Sequence, residues 1–154
     1  MLVIGLGHRD RGDDAVGLIV ADHLAADPDI AELVATGFLR ILAWEGSELD
    51  LLDRWQADDA VVIVDAIRTG ADPGHVHPLD LDQLESLATT AGGTHAFGVP
   101  GTLAVARALD RLPATLDVIG IEPATVEHGA PLTAEVARAA ADVASALRVR
   151  LRSR

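Results

Sequence analysis

The stretch "VIGLGHRDRGDDAVG", residues 3–17, decides the fold. The apolar run from Leu2 to Leu6 meets Gly5 and Gly7, and the polar loop "HRDRGDD" follows. Val16, Ile19, Val20 and Leu24 then recur at helical spacing. A continuous apolar run that gives way to this period reads as a buried strand handing over to an amphipathic helix. Two adjacent carboxylates, Asp13 and Asp14, stand at the handover.

Working outward, four more apolar runs read as strands: "FLRILAW" (38–44), "AVVIVDA" (60–66), "HVHPL" (75–79) and "LDVIGI" (116–121). The first and third of the five strands are continuous and rich in Val and Ile, as central strands covered on both faces are. "HVHPL" alternates and contains Pro78, which suits a short edge strand. Helical patterns separate the strands: "DDAVGLIVADHLAA", "GSELDLLDRW" with Ser47 as N-cap, "LDQLESLA", "PGTLAVARALDRL", and "LTAEVARAAADVASALRVRL" with Thr133 as cap. Strands alternating with helices predict an α/β fold: a three-layer sandwich with a mostly parallel five-stranded sheet and helices on both faces. The 154 residues fit one domain spanning 1–154, without internal repeat or linker.

Composition narrows the chemistry. The chain has no cysteine, which excludes disulfides, thiolate metal sites and a cysteine nucleophile. All twelve basic residues are arginines, so a Walker A lysine and Schiff-base chemistry are excluded too. A formal net charge of −12 opposes nucleic-acid binding. The arginines of the closing "RVRLRSR" read as a solvated helix end that complements the helix dipole. No apolar run is long enough for a membrane span, and Met1 leads into an apolar run without a basic n-region, so a cytoplasmic location is expected.

Open α/β sheets bind ligands at the carboxyl ends of their strands. Three polar stretches fall there: "GHRDRGDDAVG", "VIVDAIRTG" with Asp65 at the end of a buried strand, and the glycine-rich "GGTHAFGVPG" with His95. Two carboxylates and one imidazole converging on one sheet edge suit a divalent metal. Taken singly, each has a plainer reading. Asp13 and Asp14 complement a helix dipole, worth about 0.3–1 kcal/mol each. Asp65 accepts hydrogen bonds from its own turn, and His95 is a solvated loop residue. His75 and His77 share one face of the edge strand and read as a solvent-facing pair.

Other sites fit less well. "GLGHRDRG" begins like the dinucleotide fingerprint, but Asp10 holds the third glycine position and carboxylates oppose a pyrophosphate at the helix N-terminus. A phosphorylation receiver needs a lysine that is absent. Neither a G-x-S-x-G elbow nor an H-E-x-x-H zinc motif is present.

With these residues in view, the chain resembles the hydrogenase maturation endopeptidases, which trim the large subunit of [NiFe] hydrogenases. Their opening runs roughly G-x-G-N, a short loop, then D-[DE]-x-x-G; Gly5, Gly7, Asp13, Asp14 and Gly17 match it. "VVIVDA" is similar to the family's second acidic motif at Asp65, and "THAFG" to its histidine loop at His95. "VIGIEPATVEHGAPLTAEV" resembles its last strand, Pro-containing loop and final helix. The resemblance implies a twisted five-stranded sheet between helices. It also implies removal of a short C-terminal peptide from a hydrogenase large-subunit precursor after nickel insertion. By the same resemblance Asp14, Asp65 and His95 are the catalytic and metal-binding residues, Asp13 braces the turn, and nickel arrives with the substrate, with Zn or Cd able to substitute. Whether that metal is catalytic or a recognition element stays open at this level.

Two departures bear on partner identity. His8 stands at the family's asparagine, either to hydrogen-bond in the loop or to add a ligand, and "WEGSE" replaces a "D-G-G-T"-like stretch, with Glu45 as the acidic residue. The competing readings are a nickel-dependent binding or chaperone-like module that holds the immature subunit without cutting it, and an unrelated metallohydrolase with a small-molecule substrate.

Overall fold

The computed structural model describes residues 1–90 and 98–153. Five strands, β1 (Leu2–Leu6), β2 (Arg40–Trp44), β3 (Ala60–Ala66), β4 (Val76–Leu79) and β5 (Thr115–Ile121), form one sheet in the order β2-β1-β3-β5-β4. The first four in that order are parallel, and β4 is antiparallel on the edge beside β5. Helices α1 (Val16–Ala25), α2 (Pro28–Ala35), α3 (Leu81–Thr90), α4 (Val99–Ala108) and α5 (Ala134–Arg152) cover it. The expected α/β architecture is the one observed, and Pro78 falls on the edge strand, where a missing ladder donor costs least.

Period-two alternation sorts the strand side chains into two cores. Val3, Val62, Val64 and Ile121 pack with α1, Ile30 of α2 and the small-residue stripe of α5. Leu2, Ile4, Leu6, Val61 and Ile63 face the other way, against α4, Leu84 of α3 and a short 3-10 segment, Glu48–Asp53. Because β1 and β3 are central, both of their faces are buried, which is why these strands read as unbroken apolar runs.

Several local expectations need correction. Helix α2 had no counterpart in the sequence reading, although Asp27 caps it by accepting from the Asp29 N–H at 2.9 Å and Pro28 opens it. The helix expected at "GSELDLLDRW" is only the 3-10 segment, and the Ser47 side chain makes no capping bond. Strand β2 starts at Arg40, because the Leu39 N–H still donates back to the Leu33 carbonyl and Phe38 is exposed. The C-terminal arginines do more than end a solvated helix. Arg148 and Arg152 pair with Asp27 and Asp29 of the α2 N-terminus, and Arg150 pairs with Asp117 of β5. Among the described residues, no helix is long and apolar enough to cross a membrane.

Candidate active site

The glycines of the opening motif bring α1 onto the end of β1. A Cβ on Gly5 would lie 1.9 Å from the Gly17 carbonyl oxygen, and one on Gly17 would lie 2.3 Å from that of Val64. Gly7 has φ +142°, and a Cβ there would meet the Asp14 carbonyl oxygen at 1.8 Å. Backbone stands where side chains would otherwise be, so the loop carrying the acidic pair is held against the carboxyl ends of β1 and β3.

The pair itself splits. Asp13 is fully buried, and no side-chain capping bond closes its 3-10 turn, Gly12–Ala15. Its carboxylate accepts from the Ala124 and Thr125 N–H groups at 2.8 and 3.1 Å, and from the Thr133 N–H and hydroxyl at 2.7 and 3.0 Å. Thr133 occupies the N-cap position of α5, but its hydroxyl is turned to Asp13 and makes no capping bond. Asp13 therefore ties the β1 loop to the Pro123-containing loop and to the start of α5.

Asp14 points into a cleft of about 350 Å³ that Asp65, His8, Glu48, Trp44 and Pro123 also line. His8 Nδ1 lies 2.9 Å from Asp14 Oδ2, so the residue that replaces the family's asparagine hydrogen-bonds within the loop. Asp65 is at the end of β3, where Oδ1 accepts from the Ala66 N–H at 2.9 Å. Burial, with repulsion from Asp14 and Glu48 added, pushes its carboxyl up from 3.8 to about 7, against the weaker pull of the Ala66 bond and His8. Two carboxylates thus share a cleft in which one resists ionisation, a condition that a divalent cation would relieve. With the imidazole of His8 beside them, the donors are of the hard and borderline types that Ni, Zn or Cd accept. Among the described residues, no three His, Cys, Asp or Glu side chains are grouped closely enough to hold a metal unaided. Of the three expected site residues, Asp14 and Asp65 come together; His95 lies outside the described residues.

The neighbouring loops are pinned. Arg9 chelates Asp22 through Nη1 and Nη2 at 2.7 and 3.1 Å, and its N–H donates to Glu45 at 3.1 Å. Glu45 is thereby committed to the loop after β1. Gly46 leaves room for the Trp44 ring, 2.6 Å from where its Cβ would be.

Glu122 escaped the sequence reading. It directly follows β5, is buried, and accepts from the Thr69 N–H and hydroxyl, both at 2.8 Å, and from the Gly70 N–H at 3.2 Å. Burial alone would raise its pKa, but these bonds and nearby His77 outweigh it, and the carboxyl is held below its ordinary value. His77 is not the solvent-facing residue expected: Nε2 is 3.2 Å from the Thr69 hydroxyl and 3.5 Å from Glu122. The only local signal was an acid directly following an apolar strand.

Comparison with known proteins agrees with this arrangement. Residues 47–148 match the family model described as hydrogenase maturation protease. The hydrogenase 2 maturation protease of Escherichia coli K12 is 26% identical over 137 residues, spanning 88% of this chain and 80% of that protein. The crystal structure of the [NiFe] hydrogenase maturation protease HycI from Thermococcus kodakarensis superposes with a TM-score of 0.73 at 27% identity, covering 98% of this chain and 91% of the other. The E. coli hydrogenase maturating endopeptidase HybD shares the fold with a TM-score of 0.75 at 24% identity, covering 99% and 91%. The family model takes in more than half of the chain, from the loop after β2 to the final helix, and the chain belongs to the hydrogenase maturation proteases.

Proposed function

We propose that this endopeptidase, which processes the C-terminus of a hydrogenase large subunit, does so at the cleft between Asp14 and Asp65, with nickel arriving on the precursor. The observation that carries this reading is the pair of carboxylates sharing one cleft, with Asp65 pushed up to about 7. A fixed carboxylate pair that repels itself in the free protein is built to receive a cation from outside.

The roles follow from the surroundings. Asp14, oriented by His8, offers the precursor's metal centre a carboxylate oxygen. Asp65 sits where it can exchange a proton near neutrality, the property required of a group that assists an attacking water. When bound, the nickel supplies Lewis-acid polarisation of the scissile carbonyl. His95 is assigned by resemblance as the third ligand. Trp44 and Pro123 give the cleft apolar walls against which a peptide segment can lie. Zinc or cadmium would satisfy the same oxygen and imidazole donors.

The test is intact-mass analysis of the nickel-loaded large-subunit precursor after incubation with this protein, beside a nickel-free precursor. Loss of one C-terminal peptide from the nickel-loaded sample alone is expected. An unchanged mass despite complex formation would replace the proteolytic reading with that of a binding module.

A further inference from the structure

The same cleft holds two arginines that have no ionic partner among the described residues. Arg11 leaves the loop after β1 and Arg68 the loop after β3, and both are exposed lining residues of the cleft. Neither guanidinium makes a side-chain hydrogen bond or ion pair among the described residues. Their isolation is a local property. Every other described arginine except Arg54 is within ion-pair distance of a carboxylate, and Arg54 lies over the Trp44 ring, 4.4 Å from its centroid.

Charge supply does not explain the exception. The chain has 24 acidic residues against twelve arginines, and its formal net charge is −12. Carboxylates line the same cleft at Asp14, Glu48 and Asp65, yet both arginines stay clear of them. Arg68 also has a fixed base. The next two residues, Thr69 and Gly70, donate their N–H groups to buried Glu122, which anchors the loop at the arginine's foot. A free guanidinium on an anchored loop is preorganised for an anion, and a planar carboxylate matches its fork.

We propose that Arg11 and Arg68 bind a carboxylate of the precursor's C-terminal segment and hold that segment across the cleft. This rests on the proposed precursor-processing role of the cleft. The pair gives an otherwise acidic protein a local handle for an anionic peptide and sets its register relative to Asp14 and Asp65. The carboxylate belongs either to an acidic side chain of the segment or to its terminal α-carboxylate; the guanidinium chemistry is the same for both.

The experiment compares wild type with Arg11→Gln, Arg68→Gln and the double variant, measuring both Kd for the nickel-loaded precursor and the kinetics of tail removal. Each single substitution is expected to weaken binding and raise KM by roughly tenfold, with kcat changed by less than about twofold. The wild-type Kd should rise with salt, and that of the double variant much less. Thermal unfolding should be unchanged, since neither guanidinium makes a hydrogen bond or ion pair among the described residues. Precursors carrying amides in place of the segment's acidic side chains, or an amidated terminus, identify the source: whichever form binds wild type no better than the double variant lacks the recognised group. Equal Kd for all proteins on the unmodified precursor would overturn the proposal, as would a loss confined to kcat. If wild type binds the precursor without shortening it, the proteolytic reading fails, while the Kd comparison still decides the arginines.

Discussion

Two pairs of carboxylates, Asp13 with Glu122 and Asp14 with Asp65, behave oppositely. Asp13 and Glu122 are buried and saturated with donors from distant segments. Asp14 and Asp65 sit in the cleft with one side-chain hydrogen-bond partner each among the described residues, His8 for Asp14 and the Ala66 N–H for Asp65. At Glu122 the hydrogen bonds outweigh burial, and the carboxyl is held below its ordinary value. Within the second set burial and mutual repulsion oppose ionisation at Asp65. Asp13 and Glu122 anchor loops beside the cleft, whereas Asp14 and Asp65 line it.

The largest effect should come from breaking the satisfied set. Asp13→Ala strands the donors of Ala124, Thr125 and Thr133 in a buried position, at a cost of about 3 kcal/mol or more. Thermal unfolding should show a midpoint lower by roughly 10 °C, and tail removal should fall with the lost anchor.

Asp65→Asn should do the reverse to stability while abolishing cleavage. The folded carboxyl titrates near 7 against an ordinary 3.8, so the folded state holds a proton that the unfolded chain has released. Stability therefore falls as pH rises from about 4 through about 7, and the full penalty persists above that range. Denaturant unfolding of the metal-free protein at pH 8 should show the variant more stable, by about 2–4 kcal/mol, with the gain vanishing near pH 4.

Glu122→Gln sharpens the contrast with the opposite sign. A carboxyl held below its ordinary 4.5 contributes stability that is complete above that value and lost as pH falls through the folded pKa. The variant should lose about 1–2 kcal/mol at pH 7, and its acid limb below pH 4.5 should be flatter in a pH series of unfolding curves.

The smallest change is expected from His8→Asn, which places the family's usual residue beside Asp14. Stability should stay within about 0.5 kcal/mol. Tail removal, followed by mass, should remain of the wild-type order, because an amide can keep the bond to Asp14.

The split between the two sets also marks what could be read from the sequence. That Asp14 and Asp65 would line one cleft was legible because strand ends are predictable from apolar runs, and a parallel sheet gathers strand ends on one edge. The hold of Gly5, Gly7 and Gly17 showed only as a pattern, since the atoms they make room for belong to backbone elsewhere. Asp13 looked like a local turn residue because its partners lie 111 to 120 positions away, and no periodicity reports such a contact. Glu122 was hidden for the same reason: its donors, Thr69 and Gly70, come from the loop after a neighbouring strand. Helix α2 is different, because its Asp27-Pro28 start is a local signal that eight residues with one buried side chain, Ile30, did too little to reinforce.

The central claim is that Asp14 serves the reaction and not the fold. Its direct test is Asp14→Asn, assayed by intact mass on the nickel-loaded precursor, with thermal unfolding of the same preparation. No shortening of the precursor is expected, with an unfolding midpoint close to wild type. Shortening at the wild-type rate would contradict it.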